Sequence, residues 1–236
     1  MDERLLQNRI NMKSIVLIPA FNEEVAIGSI IDKSLKYVDD ALVIDDGSSD
    51  NTSKIAISHG AKVITNKTNQ GKGVALKKGF IAVKDYDVVV TIDGDGQHNP
   101  DEIPAIIKPI LDGTADLVNG SRYLDGFEEN TPAYRRVGQR VLDIATNISC
   151  GIHVTDSQSG FRAFSKKAVG CFRFRDTGFG IESEMLADAA DNNLKILEVP
   201  ITVRYDVDGS TKNPVSHGVG VLLKIIKDKF IRTFKK

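Results

Sequence analysis

The chain reads as an α/β domain with a mainly parallel central sheet and helices on both faces. Two observations predict this class. Short continuous apolar runs alternate with helical patterns through the first half, and the runs lack the polar alternation of a sheet with one wet face. Several runs also end in polar clusters, as expected where ligands bind outside the carboxyl ends of parallel strands.

Residues 14–18 (SIVLI) form the first apolar run, which stops at Pro19. Residues 23–37 read as a helix with Val25, Ile27, Ile30, Ile31 and Leu35 on its apolar side. Residues 41–44 (ALVI) make a second strand that ends at Asp45-Asp46-Gly47. A short helix follows over 51–59, capped from Asp50 and stopped by Gly60. The pattern continues with a strand at 62–65, a helix at 72–83 and a strand at 87–92 (DVVVTI). Pro100 suits the first position of the next helix, and 116–118 reads as a fifth strand. The second half is more irregular. An acidic loop is expected at 123–131, then a helix at 134–149 with Tyr134, Val137, Val141, Ile144 and Ile148 at helical spacing. A helix at 180–192, a strand at 196–203 and a lid-like loop at 207–217 complete the pass.

The length of 236 residues allows one large domain with small appendages. A net charge of −1 argues against a general nucleic-acid binder. Cys150 and Cys171 sit in no CxxC pair, and Cys150 with His153 makes no metal site, so both read as reduced structural thiols. Residues 1–12 are charged and lack the apolar core of a signal peptide. No run approaches the roughly 18 apolar residues of a spanning helix.

Asp93-Gly94-Asp95-Gly96-Gln97 follows the fourth strand. Its carboxylates and the Gln97 amide suit a hard cation such as Mg²⁺ or Mn²⁺, which prefers oxygen and shares substrate phosphates. The plain alternative is a polar turn before the helix at Pro100. Asp45-Asp46-Gly47-Ser48-Ser49-Asp50 can cap a helix, or its carboxylates can accept from a nucleobase or ribose. Gln70-Gly71-Lys72-Gly73 opens a helix, as a phosphate cradle or a simple turn, and lacks the remaining residues of a P-loop. Arg122, Arg162, Arg204 and Lys212 are spread over three segments as phosphate-binding candidates or surface charge. The small residues before Arg122 and Arg162 favour tight, positioned turns.

PAFNEE (19–24), DDGSSD (45–50), GKGVA (71–75), DGDGQH (93–98), GSR (120–122) and SGFRAF (159–164) occur in that order. Together they resemble the inverting family-two glycosyltransferases of GT-A fold, nearest the dolichyl-phosphate mannose synthase and dolichyl-phosphate glucose synthase group. The resemblance covers residues 14–213. It implies that Pro19, Ala20, Phe21, Glu23, Asp46, Lys72, Asp93, Gly94 and Asp95 hold the nucleotide sugar. Asp93, Asp95 and Gln97 would hold the metal. Arg122, Ser159, Arg162, Arg204, Ser210 and Lys212 would receive an acceptor phosphate, with Asp95, Arg122 and Arg162 at the chemistry. Glu182 and Glu184 fall where related inverting enzymes often carry an acid.

The implied reaction moves a hexose from GDP-mannose, UDP-glucose or UDP-N-acetylglucosamine to a polyprenyl (dolichyl) phosphate. A growing glycan or soluble acceptor, and a non-catalytic nucleotide-sugar-binding subunit, are the other readings. The expected organisation is an extension at 1–13, a catalytic domain at 14–213 and a basic amphipathic helix at 214–236. In that tail Leu222, Ile226, Phe230 and Phe234 recur opposite lysines, which suits a membrane interface or packing on the core. The expected location is therefore cytoplasmic, peripheral at the cytoplasmic membrane face, with room for an integral membrane partner.

Overall fold

The computed structural model describes residues 12–124, 133–175 and 180–204. Most of the expected N-terminal extension, most of the acidic loop, the lid-like loop with Ser210 and Lys212, and the basic tail lie outside the described residues.

Among the described residues there are seven strands: β1 (Ser14–Ala20), β2 (Asp40–Asp45), β3 (Lys62–Thr65), β4 (Val88–Thr91), β5 (Leu117–Ser121), β6 (Arg162–Ser165) and β7 (Ile196–Pro200). They form one sheet in the order β3-β2-β1-β4-β6-β5-β7. Strands β1 to β4 are parallel, and β5 pairs in parallel with β7. β6 runs antiparallel to both β4 and β5. The mainly parallel sheet expected from the apolar runs is thus present, with one reversed strand. That strand falls on the RAFS part of a segment read as a phosphate-binding turn. It is only four residues long and opens with an arginine, so it carries little strand pattern.

The helices are α1 (Ile27–Ser34), α2 (Thr52–Ser58), α3 (Lys72–Ala82), α4 (Ile103–Leu111), α5 (Ala133–Cys150), α6 (Lys166–Val169) and α7 (Ile181–Asp191). A 3₁₀ turn at Pro100–Glu102 leads into α4. The expected helix at 23–37 shortens to α1, although the Glu23 carbonyl already accepts from the Ala26 and Ile27 N–H groups. Asp50 accepts from the Thr52 N–H at 2.9 Å, so it supports the start of α2 as expected.

Alternation along the strands divides the core in two. Val16, Ile18 and Ala20 of β1 face a layer built with Ile27, Ile31, Ile103 and Ile106. Ile15 and Leu17 face the other layer, with Leu76, Phe80, Met185 and Leu186. Apolar residues on both faces of a strand therefore mean helices on both faces. Phe80 anchors the second layer. Its ring meets Phe164 and Phe172 edge-on, at centroid distances of 5.3 and 5.5 Å. Phe80→Ala should lower the unfolding free energy by about 3–5 kcal/mol, read as a lower urea midpoint at unchanged slope.

Candidate active site

Because β1, β2 and β4 are parallel, their carboxyl ends share one edge. β6 is reversed, so its start arrives at that same edge: Thr91 pairs with Arg162, which also pairs with Asn119. The polar cluster after β4 therefore meets the Ser159-Gly160-Phe161 segment. Gly160 is required there. A Cβ on it would lie 2.4 Å from Asp93 Oδ2. Gly94 in turn packs on Pro19 and Ala20, where an added Cβ would be 3.3 Å from both the Pro19 carbonyl and the Ala20 methyl.

Lys72, the first residue of α3, reaches across this edge. Its ammonium is 2.7 Å from Asp93 and 2.9 Å from Glu182, in the first turn of α7. Burial opposes the charge on Lys72, but Asp93 and Glu182 hold its pKa above the usual lysine range. Burial likewise works against the Asp93 anion, yet Lys72, with His98 and Arg122, brings Asp93 below the usual carboxylate range. Burial, and then the charge of Asp93, push Asp95 up to about 6, and Lys72 favours its anion too weakly to offset them. Burial, with Asp95 and Asp93, raises Glu23 to about 7. Phe21 stands at the rim with 41% of its surface exposed.

The chemistry of the donor set decides whether a divalent cation suits these residues. Asp93 and Asp95 supply hard oxygens in a crowded acidic pocket, and the Gln97 N–H donates to Asp95 at 3.0 Å, which fixes its carboxylate. Among the described residues no three His, Cys, Asp or Glu side chains converge into a closed cage. Two carboxylates with remaining positions left to water and phosphate are a normal magnesium environment. The residues fit such an ion.

Several candidates are not where the sequence suggested. Asp46 does not face out toward a nucleoside. Its oxygens accept from Asn66 Nδ2 at 2.6 Å and from the Gln70 and Gly71 N–H groups at 3.0 and 2.7 Å. The N–H groups expected to cradle phosphate ahead of α3 are thus turned onto Asp46. Arg162, read as an acceptor-phosphate candidate, is fully buried. Its guanidinium donates to the Glu182 and Ser157 carbonyls, both at 2.8 Å, because the β6 register aims it beneath α7. Ser159 is also buried, and its hydroxyl accepts from the Phe161 N–H within its own turn. Gly120 and Ser121 belong to β5 rather than a turn. Glu184 accepts from the Arg175 backbone N–H at 2.8 Å and from its Nε at 3.1 Å. Arg204 is exposed, and its backbone N–H bonds the Gln97 carbonyl at 2.8 Å.

Arg122 leaves the carboxyl end of β5 and is held by a residue that sequence reasoning missed. Asp156, wholly buried, accepts from Arg122 Nε at 2.6 Å and from a terminal nitrogen at 2.7 Å. A fork-to-fork pair fixes a guanidinium in one plane. Gln139 and Asp143 of α5 brace this corner. Gln139 donates to Asp156 at 3.4 Å and to Asp143 at 3.0 Å, and Asp143 accepts from the Ser157 N–H at 2.7 Å. The only signal for Asp156 was its place three residues before Ser159-Gly160.

A sheet whose carboxyl edge presents an acidic pair beside an aromatic rim defines the GT-A class of nucleotide-sugar transferases. The model of glycosyl transferase family 2 matches residues 15–172, and the chain belongs to that family. It is 36% identical over 233 residues to the UDP-N-acetylglucosamine–dolichyl-phosphate N-acetylglucosaminyltransferase of Methanococcus voltae, covering 88% of this chain and 90% of that protein. It is 31% identical to the dolichyl-phosphate hexose transferase of Haloferax volcanii, covering 90% and 92%. Glucosyl-3-phosphoglycerate synthase from Mycobacterium tuberculosis, solved with Mn²⁺, UDP-glucose and phosphoglyceric acid, superposes with a TM-score of 0.73 at 28% identity. That match covers 95% of this chain and 82% of the other.

Gly160→Ala should displace Asp93 and leave the fold intact. The expected result is a loss of about 10²-fold in kcat/KM, with weaker Mn²⁺ binding by calorimetry and a nearly unchanged Tm. Asp143 gives a second test. Burial is the main cause that pushes it up to about 6, against the pull of the Ser157 hydrogen bond. The folded state then binds the Asp143 proton more tightly than the unfolded state, so this group lowers stability as pH rises from about 4 to about 6. Asp143→Asn keeps an acceptor for Ser157 and should raise stability by about 1–2 kcal/mol at pH 7. Urea melts should show the gain vanish below about pH 4, near the unfolded carboxylate value.

Proposed function

We propose that the protein transfers a hexose from a nucleotide-diphosphate sugar to a polyprenyl phosphate, with inversion and with a divalent metal. The observation that carries the reading is the juxtaposition of an acidic pocket at Asp93 and Asp95 with the fixed Arg122–Asp156 pair at the next parallel strand end. The names of the Methanococcus and Haloferax relatives support the lipid-phosphate acceptor.

Phe21, with Pro19 and Ala20 behind it, would form the wall against the nucleoside. Asp93 and Asp95, with Gln97, would hold Mg²⁺ or Mn²⁺, which supplies Lewis-acid stabilisation of charge on the departing diphosphate. Lys72 keeps Asp93 ionised and aimed into the pocket. Arg122 orients the acceptor phosphate. A phosphate monoester has a second pKa of about 6, so its attacking oxygen is already largely ionised near neutral pH. Positioning, rather than proton removal by a strong base, is then the main demand. In-line attack at the anomeric carbon forms the new C–O bond as the bond to the diphosphate breaks, which inverts the configuration. Cys150 and Cys171 form no disulfide, which with a lipid-phosphate acceptor fits a protein working at the cytoplasmic face of a membrane.

One observation favours a second reading. The Mycobacterium neighbour was solved with phosphoglyceric acid, so a soluble phosphorylated acceptor is the alternative. Incubation of the full chain with labelled GDP-mannose, UDP-glucose or UDP-N-acetylglucosamine, polyprenyl phosphate and Mg²⁺ separates the two. Label should enter the organic phase with one donor, disappear with EDTA and return with Mn²⁺. Label confined to water-soluble product refutes the lipid acceptor. Asp95→Ala should reduce turnover by about 10³-fold. Glu184→Ala should cost stability and leave most of the turnover.

A further inference from the structure

Helix α5 buries Leu142, yet much of its inner side is polar and much of its outer side is apolar. Its buried side carries polar groups that bond inward. Asp143 accepts from Ser157, the Thr146 hydroxyl lies 3.3 Å from that of Ser183, and Asn147 exchanges two hydrogen bonds with the Val154 backbone. Its outer side carries Val141, Ile144 and Ile148, which are 46%, 52% and 65% exposed. These positions are three and four residues apart, so they form a single stripe along the helix.

We propose that this stripe is a docking face for a bilayer surface containing anionic lipid. The proposal rests on the lipid-phosphate reading above and names the surface from which that acceptor is taken. Charge complementarity chooses the occupant. The charged side chains described on α5 are Arg140 and Asp143. Asp143 is buried and Arg140 is exposed beside the stripe, so the charge offered at this face is basic. Apolar side chains flanked by an arginine match an acyl boundary beneath anionic headgroups. A second copy of this chain would set Arg140 near its own counterpart across a two-fold axis. The chain's own segment beyond Arg204 is a poor match as well, because the polar side of its amphipathic pattern is itself basic, with Lys224, Lys227, Lys229 and Arg232.

Position supports the same occupant. The inner side of α5 braces Asp156 through Gln139, and Asp156 holds Arg122. The outward stripe and the arginine proposed for the acceptor phosphate therefore belong to one hydrogen-bonded unit. An 18-residue helix is about 27 Å long, enough to lie along an interface beside the mouth of the site.

The chain contains no tryptophan, so Ile148→Trp installs a single reporter. In the full-length protein, its emission should shift to the blue with vesicles containing phosphatidylglycerol. Lipids brominated in the acyl chain should quench it, and phosphatidylcholine vesicles should give a much weaker response. Emission that is already blue-shifted in buffer and unchanged by vesicles would overturn the proposal, because the chain or a second copy then covers the face. Light scattering tells those two occupants apart. Ile144→Glu, at an exposed position, should keep its Tm and its turnover of a short, water-soluble prenyl phosphate. It should lose vesicle flotation and about tenfold or more of its turnover of a long-chain acceptor in vesicles. Wild-type flotation and turnover by Ile144→Glu would also overturn the proposal. If the tryptophan responds to vesicles while the wild type uses no prenyl phosphate, the docking face stands and the acceptor assignment falls.

Discussion

The Lys72 ammonium lies between Asp93 and Glu182, and the acidic edge of the sheet depends on that contact. Asp93 follows β4, Lys72 begins α3, and Glu182 begins α7. These elements come from different parts of the chain and from both sides of the sheet edge. Bringing two carboxylates together at a partly desolvated site is unfavourable without a cation between them. One lysine supplies it. The result is an asymmetric pair: Asp93 is held ionised, and Asp95, two residues on, is left under-compensated. A pocket with one well-compensated and one under-compensated carboxylate is ordered before any ligand arrives, yet it still favours added positive charge.

The reversed strand β6 performs the second organising step. In a fully parallel sheet, the chain before β6 would lie at the opposite edge. Reversal brings Gly160 against Asp93 and puts Arg162 between the sheet and the first turn of α7. Arg162 is costly to bury, and burial lowers its pKa, but nearby Glu182, Asp156, Glu198 and Asp93 oppose that shift. The same lead-in segment carries Asp156 beneath Arg122. One strand direction thus fixes the backs of both halves of the site, the carboxylates on one side and the arginine on the other.

Strand positions were legible because buried parallel strands are almost wholly apolar. Residues 62–65 were placed to the residue, and β1, β2 and β4 within a few. The acidic pair after β4 was legible for the same reason, as a polar cluster at a strand end. Side-chain direction was not. Asp46 and Asp93 look alike in the sequence, each following an apolar run. They differ because Asn66 and the Gln70–Gly71 backbone fold back onto Asp46, whereas Lys72 and Gly160 meet Asp93. Those partners are set by tertiary register, which local pattern does not encode. Arg162 shows the same limit: residue type suggested phosphate, but its place in the β6 ladder sent the guanidinium inward. Asp156 lacked even a strand-end position, since its role exists only once β5 and the segment before β6 are adjacent.

Helix α5 extends this reasoning to the surface. A helix selected only for core packing would turn Val141, Ile144 and Ile148 inward, where burial stabilises by about 1.5–3 kcal/mol for each large aliphatic side chain. Here the inner side is occupied by groups that hold Ser157, Ser183 and Asp156 in place. Bracing Arg122 through Asp156 requires polar atoms where a core would place methyl groups. That requirement explains the polar interior but not the apolar exterior, since a helix freed from core packing is normally charged on its solvent side. Two independent demands therefore meet on one helix, an inward one for the geometry of Arg122 and, on the proposed reading, an outward one for contact with an apolar surface. Their coincidence has a simple physical origin if the acceptor is itself amphiphilic. The phosphate must reach the arginine while its hydrocarbon stays in lipid, so the element that orders the phosphate site is also the one best placed to meet the membrane.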